Sequence, residues 1–169
     1  MAKQNIPVLD QLRVVGQPES EYNISTWLAR FHPTTAYDAA TDDVAAARHS
    51  MLKWLGVKYR RFYGIDRVGD RLIDSAGTPV FEISENTSAM CIYNRRRNDG
   101  ELSCNDCIGA IANGRACHEI TSEELKKIGN ETHMIRWSMN AVEYAKRAQR
   151  DRWRFTVLRL FFWVFKRYL

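Results

Sequence analysis

Four cysteines are the residues of this chain whose type and spacing could do chemistry. Cys91 is followed after twelve residues by the pair Cys104 and Cys107, and after nine more residues by Cys117. A C-x-x-C pair brings two sulfur atoms onto one tight turn, and two further thiolates complete the tetrahedral set that zinc prefers. The sequence therefore predicts a zinc site at these four cysteines.

Two other interpretations of the cysteines stay open. Four thiolates also hold iron–sulfur clusters, and spacing alone does not separate the two metals. Reduced thiols that pack as small hydrophobic side chains are the interpretation without a metal. We expect His118, next to Cys117, to lie outside the ligand set, because adjacent side chains rarely point at one ion. His133 could reach the site only if its helix packs against it.

The cysteine pattern argues against catalysis. A hydrolytic zinc site keeps one open position, whereas four thiolates close the coordination shell. The zinc deaminase signature requires proline before its C-x-x-C pair, where this chain has Ser103. The sequence also contains no glycine-rich phosphate loop, nucleophile elbow or zinc-protease motif. We therefore expect neither enzymatic activity nor a small-molecule substrate.

The elements that must position the cysteines are predicted from periodicity and caps. Segment 84–120 has little periodic apolar content, which predicts a loop ordered by its metal, since zinc binding supplies on the order of 10 kcal/mol. Before it, residues 71–73 and 78–83 predict a two-stranded hairpin, because a turn-prone segment separates two short strand-like runs.

Helical patterns precede the hairpin and follow the cysteine segment. The spacing of Ile24, Trp27, Leu28 and Phe31 predicts a short helix that Pro33 ends. Thr41 as a cap, followed by two acids, predicts a helix over 41–55 that ends at Gly56. For residues 57–63, the sequence does not decide between a strand and an extension of the helix. A capping box predicts a short helix over 121–127, and an apolar stripe predicts a long helix from about residue 131.

These elements define an α+β fold class. The fold is mainly helical, with one short hairpin, a four-cysteine metal-bound loop and a long C-terminal helix. We expect a single domain over 1–169, made of a helical and hairpin body (1–83), the cysteine loop (84–120) and a C-terminal helical part (121–169).

Charge is concentrated near the C-terminus. Residues 144–169 contain eight basic residues and one acid, which gives +7, so the remainder of a chain with net charge +5 carries −2. Such asymmetry is typical of a segment that meets an anionic partner. A solvated basic helix face is the alternative.

Two classes of partner follow. Nucleic acid, or a nucleic-acid-processing complex, is indicated by basic residues that could contact phosphate and by aromatic residues that could stack on bases. The candidate binding residues are Arg95, Arg96, Arg97, Lys58, Arg60, Arg61, Arg152, Arg159 and Lys166.

The C-terminal helix is the basis of the second class. Arg152, Arg159 and Lys166 recur every seven residues on a segment otherwise rich in Phe, Trp, Leu and Val, which is typical of a helix that binds a partner or a membrane surface. The apolar residues of this helix must be buried against some surface. In order of expectation, that surface is the protein's own core or a second copy of the chain, then a protein partner, then a membrane surface. No stretch reaches the roughly 20 apolar residues that span a bilayer.

The cysteine segment resembles a family. From Cys91 through Cys104 and Cys107 to Cys117, it is similar over about thirty residues to small cysteine-rich proteins of bacteriophages and prophages, with Ser88 where those have a first Cys and Ile108 where they have Pro. The resemblance implies a zinc-stabilised accessory protein, and inhibition of a host complex is one role that we expect for it. Without a secretory signal, we expect the cytoplasm, and the host cytoplasm if the protein is viral.

Overall fold

The structure is a computed structural model that describes residues 23–121 and 129–166, with side chains described as far as residue 159. Its helices are α1 (Ile24–Phe31), α2 (Ala36–Ala39), α3 (Asp43–Tyr59), α4 (Ala89–Arg97), α5 (Ile108–Asn113) and α6 (Asn130–Lys166). Its strands are β1 (Asp66–Val68), β2 (Arg71–Ile73) and β3 (Pro79–Glu82). Short 3-10 turns lie at Arg60–Tyr63, Glu85–Thr87, Cys104–Asp106 and Cys117–Glu119.

Helix α3 begins and ends later than the sequence predicts. The carboxylate of Asp42 accepts hydrogen bonds from the backbone N–H groups of residues 44 and 45, so Asp42 rather than Thr41 is the cap. The predicted end at Gly56 is wrong, because the helix continues to Tyr59. A Cβ atom at position 56 would lie 2.8 Å from Cβ of Phe31. Glycine therefore allows α1 to pack closely against α3.

The predicted short helix before Pro33 is confirmed as α1. Its Trp27 and Phe31 are fully buried, and the indole N–H of Trp27 donates a 3.0 Å hydrogen bond to the backbone oxygen of Gly56. The same cluster of buried residues includes Leu72 of the sheet and Ile135 of α6. Helix α1 thereby joins the sheet, α3 and α6 in one part of the core.

The sheet has three antiparallel strands in the order β1-β2-β3. The predicted hairpin corresponds to β2 and β3, where Leu72 pairs with Phe81. Strand β1 was not predicted, because Asp66–Val68 has no apolar alternation and its two end residues are exposed. Residues 57–63, left open by the sequence, are helical: α3 reaches Tyr59 and a 3-10 turn follows.

Segment 84–120 differs most from its prediction. It contains α4 and α5, and Met90 and Ile108 belong to the second part of the core together with three small residues, Ala89, Ala110 and Ala116. Small residues bury little area each, and they produce no clear amphipathic pattern. The expectation of a loop without its own core was therefore wrong.

Helix α6 confirms the predicted long C-terminal helix. Its first half packs against α3, where Ala141 and Ala145 are buried in the same cluster as Ala46 and Ala47, so small side chains line the contact. The α+β class is thus the observed one. The predicted capping-box helix at 121–127 lies outside the described residues, which stop at 121 and resume at 129.

Candidate metal centre

All four cysteines line one cavity of about 330 Å³. Cys91 lies on α4, Cys104 begins a 3-10 turn, Cys107 is the N-cap of α5, and Cys117 begins another 3-10 turn. The fold therefore brings together four residues that span 27 positions of the sequence.

Hydrogen bonds from neighbouring residues hold the two cysteine-bearing turns. The side-chain oxygen of buried Asn94, on α4, accepts a 2.9 Å hydrogen bond from the backbone N–H of Ser103. The backbone N–H of Ala116 donates a 2.7 Å hydrogen bond to the carboxylate of Glu119. Each bond fixes the residue directly before a cysteine, Cys104 in one case and Cys117 in the other.

The four sulfur atoms share the cavity without surrounding one point. Within residues 23–121 and 129–166, no group of three or more His, Cys, Asp or Glu side chains is arranged to hold a metal ion. A zinc ion would require each sulfur at about 2.3 Å. None of the four cysteines forms a disulfide, and their exposure differs, since Cys107 is buried and Cys117 is exposed.

Burial is the main influence on the pKa values of Cys91, Cys107 and Cys117. It raises the pKa of Cys107 to about 11, while the backbone N–H groups of Gly109 and Ala110 act in the opposite direction. Burial also raises the pKa of Cys91 and of Cys117, and negative charge on neighbouring cysteines adds to both shifts. Thiols in such surroundings keep their protons at neutral pH unless a cation displaces them.

Lys53 is the residue of this cavity that sequence reasoning missed. Its side chain lines the cavity and is only 2% exposed. Its ammonium group donates hydrogen bonds to two neutral oxygens, the backbone oxygen of Ser84 at 2.8 Å and the hydroxyl of Thr87 at 2.9 Å. Burial lowers the pKa of Lys53 to about 8, and the charges of Cys91 and Cys117 oppose this shift.

The two histidines considered beside the cysteines lie differently. His118 is exposed. Helix α6 does pack against the cavity, but it contributes Asn130, Met134 and Trp137 to the lining, and His133 is not among the lining residues. Neither histidine is thus placed as a ligand.

The arginines predicted to bind phosphate lie on the last turn of α4, and each contacts another part of the protein. Arg95 forms an ion pair with Glu85. Arg97 lies 3.4 Å from the carboxylate of Asp43, at the start of α3. These contacts connect α4 to the residues before it and to α3.

Arg96 has the most specific of these contacts. Its guanidinium group donates a 2.6 Å hydrogen bond to the backbone oxygen of Ala40 and lies 3.9 Å from the centre of the Tyr37 ring. Both partners belong to the segment around α2. The three arginines thus have structural contacts within the fold.

The basic residues after α3 are divided between structural contacts and solvent. Lys58 donates a hydrogen bond to the hydroxyl of Thr132, and Arg60 forms a 3.5 Å ion pair with Glu131. Both contacts tie the end of α3 to the start of α6. Arg61 is exposed.

The basic residues of the C-terminal helix lie beyond the packed part of α6. Arg152 is 3.8 Å from the carboxylate of Asp43 and remains 76% exposed. Arg159 is exposed, and the side chain of Lys166 lies outside the described part of the structure. Among the described residues, no helix is long and apolar enough to cross a membrane.

Comparisons with known proteins found no matching family model, curated protein or solved structure. The resemblance of the cysteine segment to bacteriophage proteins therefore stays a prediction.

Proposed function

We propose that the protein is a non-enzymatic binding protein whose body is stabilised by one zinc ion on Cys91, Cys104, Cys107 and Cys117. The observation that carries this proposal is the shared cavity, which four thiols and the buried ammonium group of Lys53 line together.

Charge favours an anionic centre at this place. A buried ammonium group without an opposite charge is costly, and the two described hydrogen bonds of Lys53 go to neutral oxygens. Zinc with four thiolates carries a net charge of about −2, since each thiolate contributes −1. Such a centre would place negative charge beside the ammonium group of Lys53, in a cavity that Asp70 and Glu85 also line.

The role of the ion would be structural. Four thiolates leave no open position for substrate or water, so the centre would hold protein segments together rather than activate a ligand. It would tie α4 to the turns at Cys104 and Cys117. Because α4 and α5 already have buried residues, we expect removal of zinc to lower the melting temperature rather than to abolish the fold.

Metal analysis of the purified full chain tests the proposal. We expect about one zinc per chain, the stoichiometry of a four-thiolate site. The double variant Cys104→Ser, Cys107→Ser should lose the zinc, whereas the control variant His118→Ala, His133→Ala should keep it. Absence of metal, a brown protein containing iron, or full zinc content in the cysteine double variant would each refute the proposal.

The binding activity would reside outside the metal centre. Nucleic acid or a nucleic-acid-processing complex is the partner indicated by the sequence, but the contacts of residues 95–97 within the fold weaken the support from that cluster. The C-terminal part of α6 is the basic surface that fits a binding role best.

A further inference from the structure

In the second half of α6, the described side chains are not buried against any other part of the protein. Every side chain from residue 151 to residue 159 is exposed, including four large apolar ones. Trp153 and Phe155 are each 69% exposed, Val157 is 51% exposed and Leu158 is 50% exposed. The self-packing expected from the sequence is therefore absent over these nine residues, and a concentration of exposed apolar side chains marks an interaction site.

We infer that residues 151–166, here called the arm, bind an anionic membrane surface. The arm continues as helix to Lys166, about 24 Å at 1.5 Å per residue. Arg152, Arg154 and Arg159 lie among these apolar side chains, and their long side chains can extend to the lipid headgroups while neighbouring apolar groups are buried. This inference names the partner of the proposed binding function and does not depend on the zinc ion.

Charge favours a membrane, rather than a second copy of the chain, as the partner of the arm. The arm contains four basic residues and one acid, a net charge of +3, so two arms packed together would bring like charges into contact. An anionic bilayer attracts the same residues, at about 1 kcal/mol for each basic residue near the surface. The positive charge of the arm thus favours binding to an anionic lipid surface and disfavours packing against a second arm.

The apolar side chains of the arm favour a membrane, rather than nucleic acid, as its partner. Phosphate contacts need basic side chains, and aromatic rings stack on bases, but aliphatic side chains such as Val157 and Leu158 have no partner on a nucleic acid backbone. Both aliphatic residues gain free energy when they enter the boundary between headgroups and acyl chains. Because the arm combines aromatic, aliphatic and basic side chains, it fits a lipid surface better.

Vesicle sedimentation with the full chain tests this inference. We expect binding to vesicles of phosphatidylcholine mixed with phosphatidylglycerol and much weaker binding to phosphatidylcholine alone. The variant Phe155→Ser, Leu158→Ser should bind anionic vesicles at least about tenfold more weakly, since two large apolar groups on one side of the helix no longer enter the interface. Its matched control is Phe62→Ser, Val68→Ser, which changes two exposed apolar residues of the body and should bind normally.

A second pair of variants separates charge from apolar burial. Arg154→Gln, Arg159→Gln should weaken binding to anionic vesicles roughly thirtyfold, the factor that corresponds to about 2 kcal/mol, and high salt should reduce the difference. Arg48→Gln, Arg71→Gln removes the same charge from exposed positions of the body and is the control.

Three outcomes would overturn the inference. One is equal binding of the wild-type chain and the Phe155→Ser, Leu158→Ser variant to anionic vesicles. Another is a dimer or larger assembly, measured by light scattering without lipid, that this variant dissociates. The third is tight binding of labelled single-stranded DNA without vesicle binding. Zinc content and circular dichroism of every variant, measured in parallel, keep a failure of the arm distinct from a failure of the metal centre.

Discussion

The ammonium nitrogen of Lys53 donates a 2.8 Å hydrogen bond to the backbone oxygen of Ser84, at one wall of the cavity that the four cysteines line. This bond holds a buried cation beside the proposed zinc centre. The pairing predicts an energetic coupling between residue 53 and the metal.

The variant Lys53→Met should reveal this coupling. The free energy of unfolding, measured by urea titration, should fall more in the zinc-loaded protein than in the chelated protein, by about 1–3 kcal/mol, because one positive charge is lost beside an anionic centre. Lys58→Met, at an exposed lysine of the same helix, should show no such zinc dependence. Equal losses with and without zinc would show that Lys53 does not interact with a metal.

Lys53 also illustrates what the sequence could not supply. Lysine is almost never fully buried, so a lysine within helix α3 is expected at the surface. Its burial depends on where Ser84 and Thr87 lie, and these residues are more than thirty positions away. The spacing of the cysteines indicated a common site, but only the fold shows that Lys53 faces the same cavity.

Caps and periodicity predicted the long elements for physical reasons. Helix α1 has apolar residues at helical spacing, and α3 begins two residues after its predicted start because Asp42, and not the predicted Thr41, is its cap. Local signals failed where packing decided. Gly56 has the residue type of a helix end, yet it lies inside α3 because Phe31 leaves no room for a side chain.

The contacts of Arg96 predict a loss of stability on substitution. Arg96→Ala removes a hydrogen bond to the oxygen of Ala40 and the stacking on Tyr37, so the free energy of unfolding should fall by about 1–2 kcal/mol. Arg48→Ala, at an exposed position, should change it by less than about 0.5 kcal/mol. Thermal unfolding measures both. An unchanged melting temperature for Arg96→Ala would return residue 96 to the candidates for phosphate binding.

At Gly109 we expect substitution by alanine to lower the stability of the protein, which is the reverse of ordinary helix propensity. Alanine usually stabilises a helix by about 1 kcal/mol relative to glycine, but a Cβ atom at position 109 would lie 1.9 Å from the Trp137 ring. Gly109→Ala should therefore destabilise the protein by about 1–3 kcal/mol, as overpacked cores do.

A second substitution separates this clash from other causes. In a Trp137→Leu background, Gly109→Ala should be neutral or stabilising, because the shorter side chain no longer reaches position 109. Urea titrations of the two single variants and the double variant give the coupling energy. If the cost of Gly109→Ala is the same in both backgrounds, the close approach of Trp137 is not its cause.

The half-buried His32 and the buried His49, which lie next to each other, predict that acid destabilises the fold. Burial, followed by the positive charges of His49 and Lys53, lowers the pKa of His32 to about 3, against 6.5 in the unfolded chain. Between these values the unfolded state binds more protons than the folded state. The free energy of unfolding should therefore decrease as the pH falls from 6.5 towards 3, by up to about 1.4 kcal/mol per pH unit for this group.

The variant His32→Phe should reduce that dependence. Its ring can occupy the same place, because His32 already packs against Phe81 with ring centres 4.1 Å apart. Urea titrations at several pH values should give a shallower slope below pH 6.5 for His32→Phe than for the wild-type chain. Some slope should persist in His32→Phe, since burial also lowers the pKa of His49, and an unaltered slope would exclude His32 as its source.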